Sequence, residues 1–200
     1  MRFLSFADNR SAIVRNLLLA LAMVALVGCS SDEGDLHLLS SDQKHEFTQN
    51  FTQAYVAYNE SGDSDIALVS DSEPRQLVHI RIFWSPMAGL KADRPSNANA
   101  AVSWCFVCNR AAEPGVVEYS GPGLVEVKDA AGGAEVRIRK AWMKKQCCHG
   151  MLVDPLGPSI MQGDFHAVYD SGRVQAIIAQ IKAASNINAE AQAPAESREN

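Results

Sequence analysis

The chain has 200 residues, 47% of them hydrophobic and 20% charged, with a formal net charge of −5. This balance is ordinary for a globular protein and excludes a collagen-like, repeat-built or wholly disordered chain. The length suits one domain with terminal extras, large enough to bury a single core without help from disulfides.

Arg2, Arg10 and Arg15 precede an unbroken apolar run from Leu17 to Val27. That is the order of a secretory signal, and the run is shorter than the ~20 residues a helix needs to cross a bilayer. Leu26-Val27-Gly28-Cys29-Ser30 then resembles the lipobox of bacterial lipoproteins. The resemblance implies that residues 1–28 are removed and that Cys29 becomes the acylated first residue of the mature chain. One acyl chain holds a membrane marginally, whereas two or three hold it essentially permanently. Residues 29–39, beginning with the polar Ser30-Ser31-Asp32, read as a lipidated tether. Ser30 in place of an aspartate is compatible, in that family, with delivery to the periplasmic side of the outer membrane. Loss of Arg2, Arg10, Arg15 and Asp8 leaves 15 basic and 22 acidic side chains, a net of −7. Nucleic acid is a poor partner for such a surface.

Phe47, Phe51, Ala54, Tyr55 and Tyr58 recur at three- and four-residue steps, which predicts an amphipathic helix over 40–58 with Ser41 or Asp42 as N-cap. Residues 59–75 read as a polar connection with one short turn at Ile66–Val69. The period then switches to two, and Leu77–Trp84 reads as a half-buried strand. Ser85–Asn99 has two prolines, a glycine and no periodicity, a long loop of the kind that carries contacts. Ala101–Cys108 alternates again. Val116–Tyr119, a turn at Gly121-Pro122-Gly123, Leu124–Lys128, a turn at Ala131-Gly132-Gly133 and Ala134–Trp142 read as a meander. After a loop over 150–163, Asp164–Tyr169 makes a last short strand. Asp170 or Ser171 caps a helix with Val174, Ile177, Ile178 and Ile181 on one face. Residues 185–200 read as a disordered tail. The expected fold is α+β, with one domain over 40–184. It is an antiparallel sheet of five or six strands, with an N-terminal and a C-terminal amphipathic helix packed on one face.

Besides Cys29 there are four cysteines, Cys105, Cys108, Cys147 and Cys148. In an exported protein an even number points to disulfides. Two bridges between the pairs would each close a loop of roughly 40 residues, stabilising by ~3 to 4 kcal/mol in the entropic account. The connectivity stays open. Trp104-Cys105-Phe106-Val107-Cys108 matches a thioredoxin-like Trp-Cys-x-x-Cys, but it ends a β-patterned run instead of opening a helix, where the thiol would be acidified. A four-thiolate zinc site meets the same obstacle, because residues three apart on a strand face opposite ways. No metal or cofactor is expected.

The five histidines have no metal spacing, and no serine sits in a nucleophile elbow. Asp63 and Asp65 lack the glycine and terminal glutamate of a calcium loop. The stripe Phe47, Phe51, Tyr55 and Tyr58 reads as packing, with a ligand groove as the sharper alternative. Arg137, Arg139, Lys140, Lys144 and Lys145 form a basic run, a solvated face or a contact surface for a lipid headgroup, an anionic envelope polymer or an acidic protein.

His79–Met87, Pro95–Ala100, Gly121–Val127 and Asp154–Pro158 together resemble a family of uncharacterised bacterial lipoproteins, over residues 75–182. The family carries no assigned activity, so the resemblance implies no catalytic residue. The expectation is a non-enzymatic, lipid-anchored envelope module that binds a partner or supports the envelope. The loop Ser85–Asn99 and the basic run are its candidate surfaces. The alternative is a thiol–disulfide oxidoreductase or zinc protein using the four cysteines.

Overall fold

The computed structural model describes residues 34–59, 62–108, 115–149 and 156–192. The signal, the lipobox and Cys29 lie outside these residues. Nine strands form one sheet: β1 (Gly34–Ser40), β2 (Glu46–Phe51), β3 (Gln53–Tyr58), β4 (Ser64–Val69), β5 (Arg75–Ile82), β6 (Ala100–Cys108), β7 (Gly115–Ala130), β8 (Gly133–His149) and β9 (Ser159–Tyr169). One α-helix, α1 (Ser171–Gln192), follows among the described residues.

From β3 to β9 each strand pairs antiparallel with the next, and β9 returns to β3 through Tyr55↔Val168 and Val56↔Tyr169. The sheet thus closes on itself. Seven alternating strands leave the first and last running the same way, so the closing pair has to be parallel, and it is. The rest of that edge of β9, Ser159–Asp164, pairs with β1, which pairs in turn with β2. Closure removes most of the unpaired edges on which sheets aggregate.

Alternate residues fill the interior: Val78, Ile80 and Ile82 from β5, Val102, Trp104 and Phe106 from β6, Val136 and Ile138 from β8. Phe47 and Phe51 of β2 meet the Trp104 ring edge-on at 5.9 and 5.8 Å. The Trp104 indole donates to Gln76, whose amide donates to Gln49. Outside the ring, α1 lays Val174, Ile177, Ile178, Ile181 and Ala184 on Ala67, Val69, Leu77, Cys105 and Val116. Asp170 caps it, accepting from the Arg173 amide at 2.9 Å.

The α+β expectation of five or six strands under two helices is therefore corrected: among the described residues there are nine strands and one α-helix, and that helix packs on the outer face of a closed sheet. The N-terminal helix is β2 and β3. Phe47, Gln49 and Phe51 alternate along β2, and Thr52 lies between the strands. After it the buried set passes to Ala54 and Val56. A period of two with one change of parity puts Phe47, Phe51, Ala54 and Tyr58 at steps of four, three and four, which imitates a helix. The phenylalanine, threonine, tyrosine and valine content is the signal that favoured strand.

The turn at Ile66–Val69 is strand β4. Ile66 and Leu68 face the interior while Ala67 and Val69 lie under α1, so both faces are buried and no alternation shows. Part of the expected tether is β1, with Leu36 and Leu38 fully buried. Gly121-Pro122-Gly123 does not turn. β7 runs straight through it, and a Cβ on Gly121 would lie 1.8 Å from the Trp142 carbonyl oxygen, so glycine serves close strand approach there. β8 extends past Trp142 to include both Cys147 and Cys148, and β9 begins at Ser159. Helix α1 passes residue 184 and reaches Gln192.

Candidate functional site

β6 starts at Ala100, opposite Gly123, while β7 continues to Ala130. The second half of β7 therefore has no β6 neighbour, and the chain between Phe83 and Asn99 occupies that end of the ring. Asn99 fastens it there. Its backbone amide donates to Gly123, its side-chain amide donates to the carbonyls of Val125 and Trp84, and its side-chain oxygen accepts from the Val125 amide. The result is a mouth with a cavity of about 260 Å³. Its lining is Ile82, Val125, Val127 and Pro86 as apolar wall, with Tyr58, Ser64, Ser85 and Asp129 as polar groups.

At the rim the hydroxyls of Tyr58 and Tyr169 both donate to Oδ1 of Asp129, each at 2.8 Å. The two rings lie 5.8 Å apart. The Tyr58 bond, and then the Tyr169 bond, hold the Asp129 carboxyl below the ordinary range, so it is ionised at neutral pH. Burial, then the Asp129 carboxylate, push the Tyr58 phenol above its ordinary value.

The large exposed apolar side chains gather at this end. Tyr58, Phe83, Trp84, Met87, Val168 and Tyr169 are each between 43% and 76% exposed. Every one lines the cavity, lies within two residues of a lining residue, or belongs to the β9 end that bonds Asp129. Tyr58 lines the cavity and lies near Tyr169, and Phe83, Trp84 and Met87 belong to the stretch that supplies Ser85 and Pro86; exposed apolar side chains beside a concavity favour a contact site.

The structure brings together only part of what the sequence singled out. The loop Ser85–Asn99 contributes Ser85 and Pro86 to the cavity and Asn99 to its support. The basic run lies along β8. Arg137 pairs with Asp164, Arg139 pairs with Glu126 at 3.1 Å, and the Lys140 ammonium lies 5.4 Å from the Trp142 ring centre. Lys144 and Lys145 are exposed farther along β8. The aromatic stripe is divided: Phe47 and Phe51 pack inside, Tyr55 lies toward α1, and Tyr58 reaches the mouth.

Among the described residues no disulfide joins the cysteines and no two lie at disulfide distance. Cys105 on β6 and Cys147 on β8 flank Glu118 on β7, in register with it from either side. Two strand spacings, roughly 9.6 Å, exceed the ~6.8 Å Cα separation that a disulfide tolerates. Glu118 accepts from the Ser185 hydroxyl at 2.9 Å. Burial, with the Glu118 carboxylate adding to it, pushes the Cys105 thiol up to about 12, and the same two causes raise Cys147. Among the described residues no three histidine, cysteine or acidic side chains form a metal-holding group. His79 is spent on Asp65 at 2.8 Å, and Asp63 on Arg81.

Tyr58, Asp129 and Tyr169 converge from positions 71 and 40 residues apart. No local spacing announces such a site. A hint was available in Asp129, an acid placed at the tip of a strand beside a Gly-containing turn.

No family model matches the chain, and neither the curated proteins nor the solved structures contain a match to it.

Proposed function

We propose that the chain is a lipid-anchored, non-enzymatic binding module of a bacterial cell envelope, acylated at Cys29, with the barrel mouth as its binding surface. The observation that carries the reading is that the exposed large apolar side chains among the described residues lie in or beside the segments that form one cavity. The anchor rests on the lipobox-like Leu26–Cys29. With two or three acyl chains the protein would stay on its membrane while the mouth stays open to solutes or neighbours.

The thiol reading gains less support. Thiol exchange runs through the thiolate, and a thiol pushed up to about 12 supplies almost none at neutral pH. The Glu118 carboxylate between Cys105 and Cys147 opposes the charge such chemistry needs.

Intact mass of the mature protein from native membranes tests the anchor: acyl adducts on Cys29 and release of Cys29→Ser from the membrane fraction are expected. An unmodified Cys29 would overturn it. A photoreactive residue at Met87, compared with one at Lys140, tests the surface. Adducts confined to position 87 support the mouth, and adducts independent of position count against it.

A further inference from the structure

Phe83, Trp84 and Met87 stand on one short stretch of chain and are 50%, 43% and 76% exposed. Slack backbone is not what leaves them in water. The Phe83 amide donates to the Asn99 carbonyl at 2.9 Å, and the Asn99 side-chain amide donates to the Trp84 carbonyl at 2.8 Å, so the backbone beneath both rings is fixed. None of the three lines the cavity, where Tyr58, Ser64, Ser85 and Asp129 stand among the wall residues. They form no apolar groove into which a helix or peptide would fit. They project from the end of the barrel.

The neighbour that suits a projecting set is a bilayer, which needs no matching shape. Aromatic rings with a polar tip settle at the headgroup level, apolar body inward and tip toward water. Cations flank the stretch. The Arg81 guanidinium lies 5.6 Å from the Phe83 ring centre, and Lys91 and Arg94 are exposed beyond Met87. Long basic side chains reach phosphates while their stems cover apolar surface. The acids there are engaged: Asp63 with Arg81, Asp93 with the Asn97 amide, and Asp129 with the hydroxyls of Tyr58 and Tyr169.

The attachment of the chain favours the same end. β1 pairs with β9 from Asp35↔Asp164 to Ser40↔Ser159, so it runs away from the mouth and is entered from the mouth side. Tyr169 lies five residues beyond Asp164 on β9, about 17 Å at the usual strand rise. Residues 30–33 separate Cys29 from β1, and the five steps to Gly34 reach no more than ~18 Å when extended. That reach suffices to bring an acylated Cys29 level with the mouth. It is too short to let the barrel stand clear of the membrane.

We infer that the mouth rests on the membrane that holds Cys29, with Phe83, Trp84 and Met87 seated in the lipid headgroup layer as a second contact; this rests on the acylation of Cys29 and on the mouth being the binding surface.

Tryptophan quenching tests the contact, with the acylated protein in vesicles of phosphatidylcholine brominated high on its acyl chains. Trp104 is buried inside the barrel, Trp142 is half-buried on β8, and Trp84 is exposed in the loop. Quenching should disappear in Trp84→Phe and persist in Trp142→Phe. Phe83→Ser combined with Met87→Ser should weaken it while the chain stays on the vesicles through Cys29. Adding phosphatidylglycerol should change little. Quenching confined to Trp142, or present only with the anionic lipid, overturns the inference and places the basic face of β8 on the membrane. An unquenched Trp84 in a chain whose mass shows the acyl groups overturns the contact and leaves the anchor standing. A photoreactive residue at position 87 should label phospholipid; labelling of a protein instead overturns the membrane assignment and keeps the mouth. An unmodified Cys29 removes the anchor, and the inference falls with it.

Discussion

Asn99 and Val125 exchange two hydrogen bonds, from the Asn99 side-chain amide to the Val125 carbonyl at 2.9 Å and from the Val125 amide to the Asn99 side-chain oxygen at 2.8 Å. The side chain thereby does for β7 what a neighbouring strand would do, one residue before β6 begins. Asn99 is fully buried, and its third bond holds the Trp84 carbonyl. The mouth is a place where backbone pairing runs out and one amide replaces it.

Asn99→Ala leaves a buried amide and two carbonyls without partners, which costs about 3 kcal/mol if each unmet group contributes toward the low end of its range. Denaturant unfolding should show that loss. Trp84 emission should move toward that of a solvated indole before global unfolding, because the loop is released first. An unchanged Trp84 signal would mean that the loop is held by something else.

Cys105 should resist alkylation in the native protein. Burial sets it at about 12, and Cys147 is raised by burial and by Glu118. Iodoacetamide at mildly alkaline pH should modify Cys105 only at the rate of unfolding. Without prior reduction, denaturation should then expose four thiols besides Cys29. A mass deficit of two protons per bridge would show disulfides and would require β6, β7 and β8 to shift.

The tyrosine–aspartate cluster predicts two limbs of a pH profile. Asp129 is lowered from 3.8 in the folded chain, so its contribution is present above that value and is lost as pH falls through the folded value. Tyr58 is raised from 10.0, so its contribution is intact below that value and is lost as pH rises toward the folded one. Ultraviolet titration should find one tyrosine ionising later than an ordinary phenol. Asp129→Asn should remove part of that delay.

Gly163 lies on β9 between Leu36 of β1 and Ile138 of β8, with φ of +154°. A Cβ there would sit 2.2 Å from the Asp35 carbonyl oxygen. Gly163→Ala should therefore destabilise by about 2 kcal/mol or more, since the β1 backbone at Asp35 and Leu36 has to move. Gly62→Ala makes the comparison, because nothing lies within 4 Å of that position and only the strain of φ +84° remains. Equal melting temperatures for the two would show that β9 yields easily.

Ile181→Ala tests whether α1 matters to the sheet. Ile181 is 7% exposed and packs with Leu77, Cys105 and Val116 in the cluster beneath the helix. A loss of about 2 to 4 kcal/mol is expected, together with faster alkylation of Cys105. Stability lost without any change in Cys105 reactivity would uncouple the helix from the thiol it covers.

The C-terminal helix and strands β5 and β6 were legible in the residues themselves. The apolar residues of α1 keep to one face, and β5 and β6 bury their outer face only at Leu77 and Cys105, so the period of 3.6 or of two survives, and Asp170 is a cap wherever the helix packs. Local spacing also suffices to separate Cys105 from Cys108 on a strand. What the sequence could not decide is everything that depends on a second surface or a distant partner. β4 lost its alternation because α1 covers the outside, and β2 and β3 mimicked a helix because one residue between them reverses which parity is buried. Gly121 looked like a turn because close approach to Trp142 is invisible without the neighbouring strand. Tyr58, Asp129 and Tyr169 became a site only when an odd-numbered ring closed in parallel and set the ends of β3, β7 and β9 side by side. Periodicity reports how one segment meets water, and convergence is a property of the closed sheet.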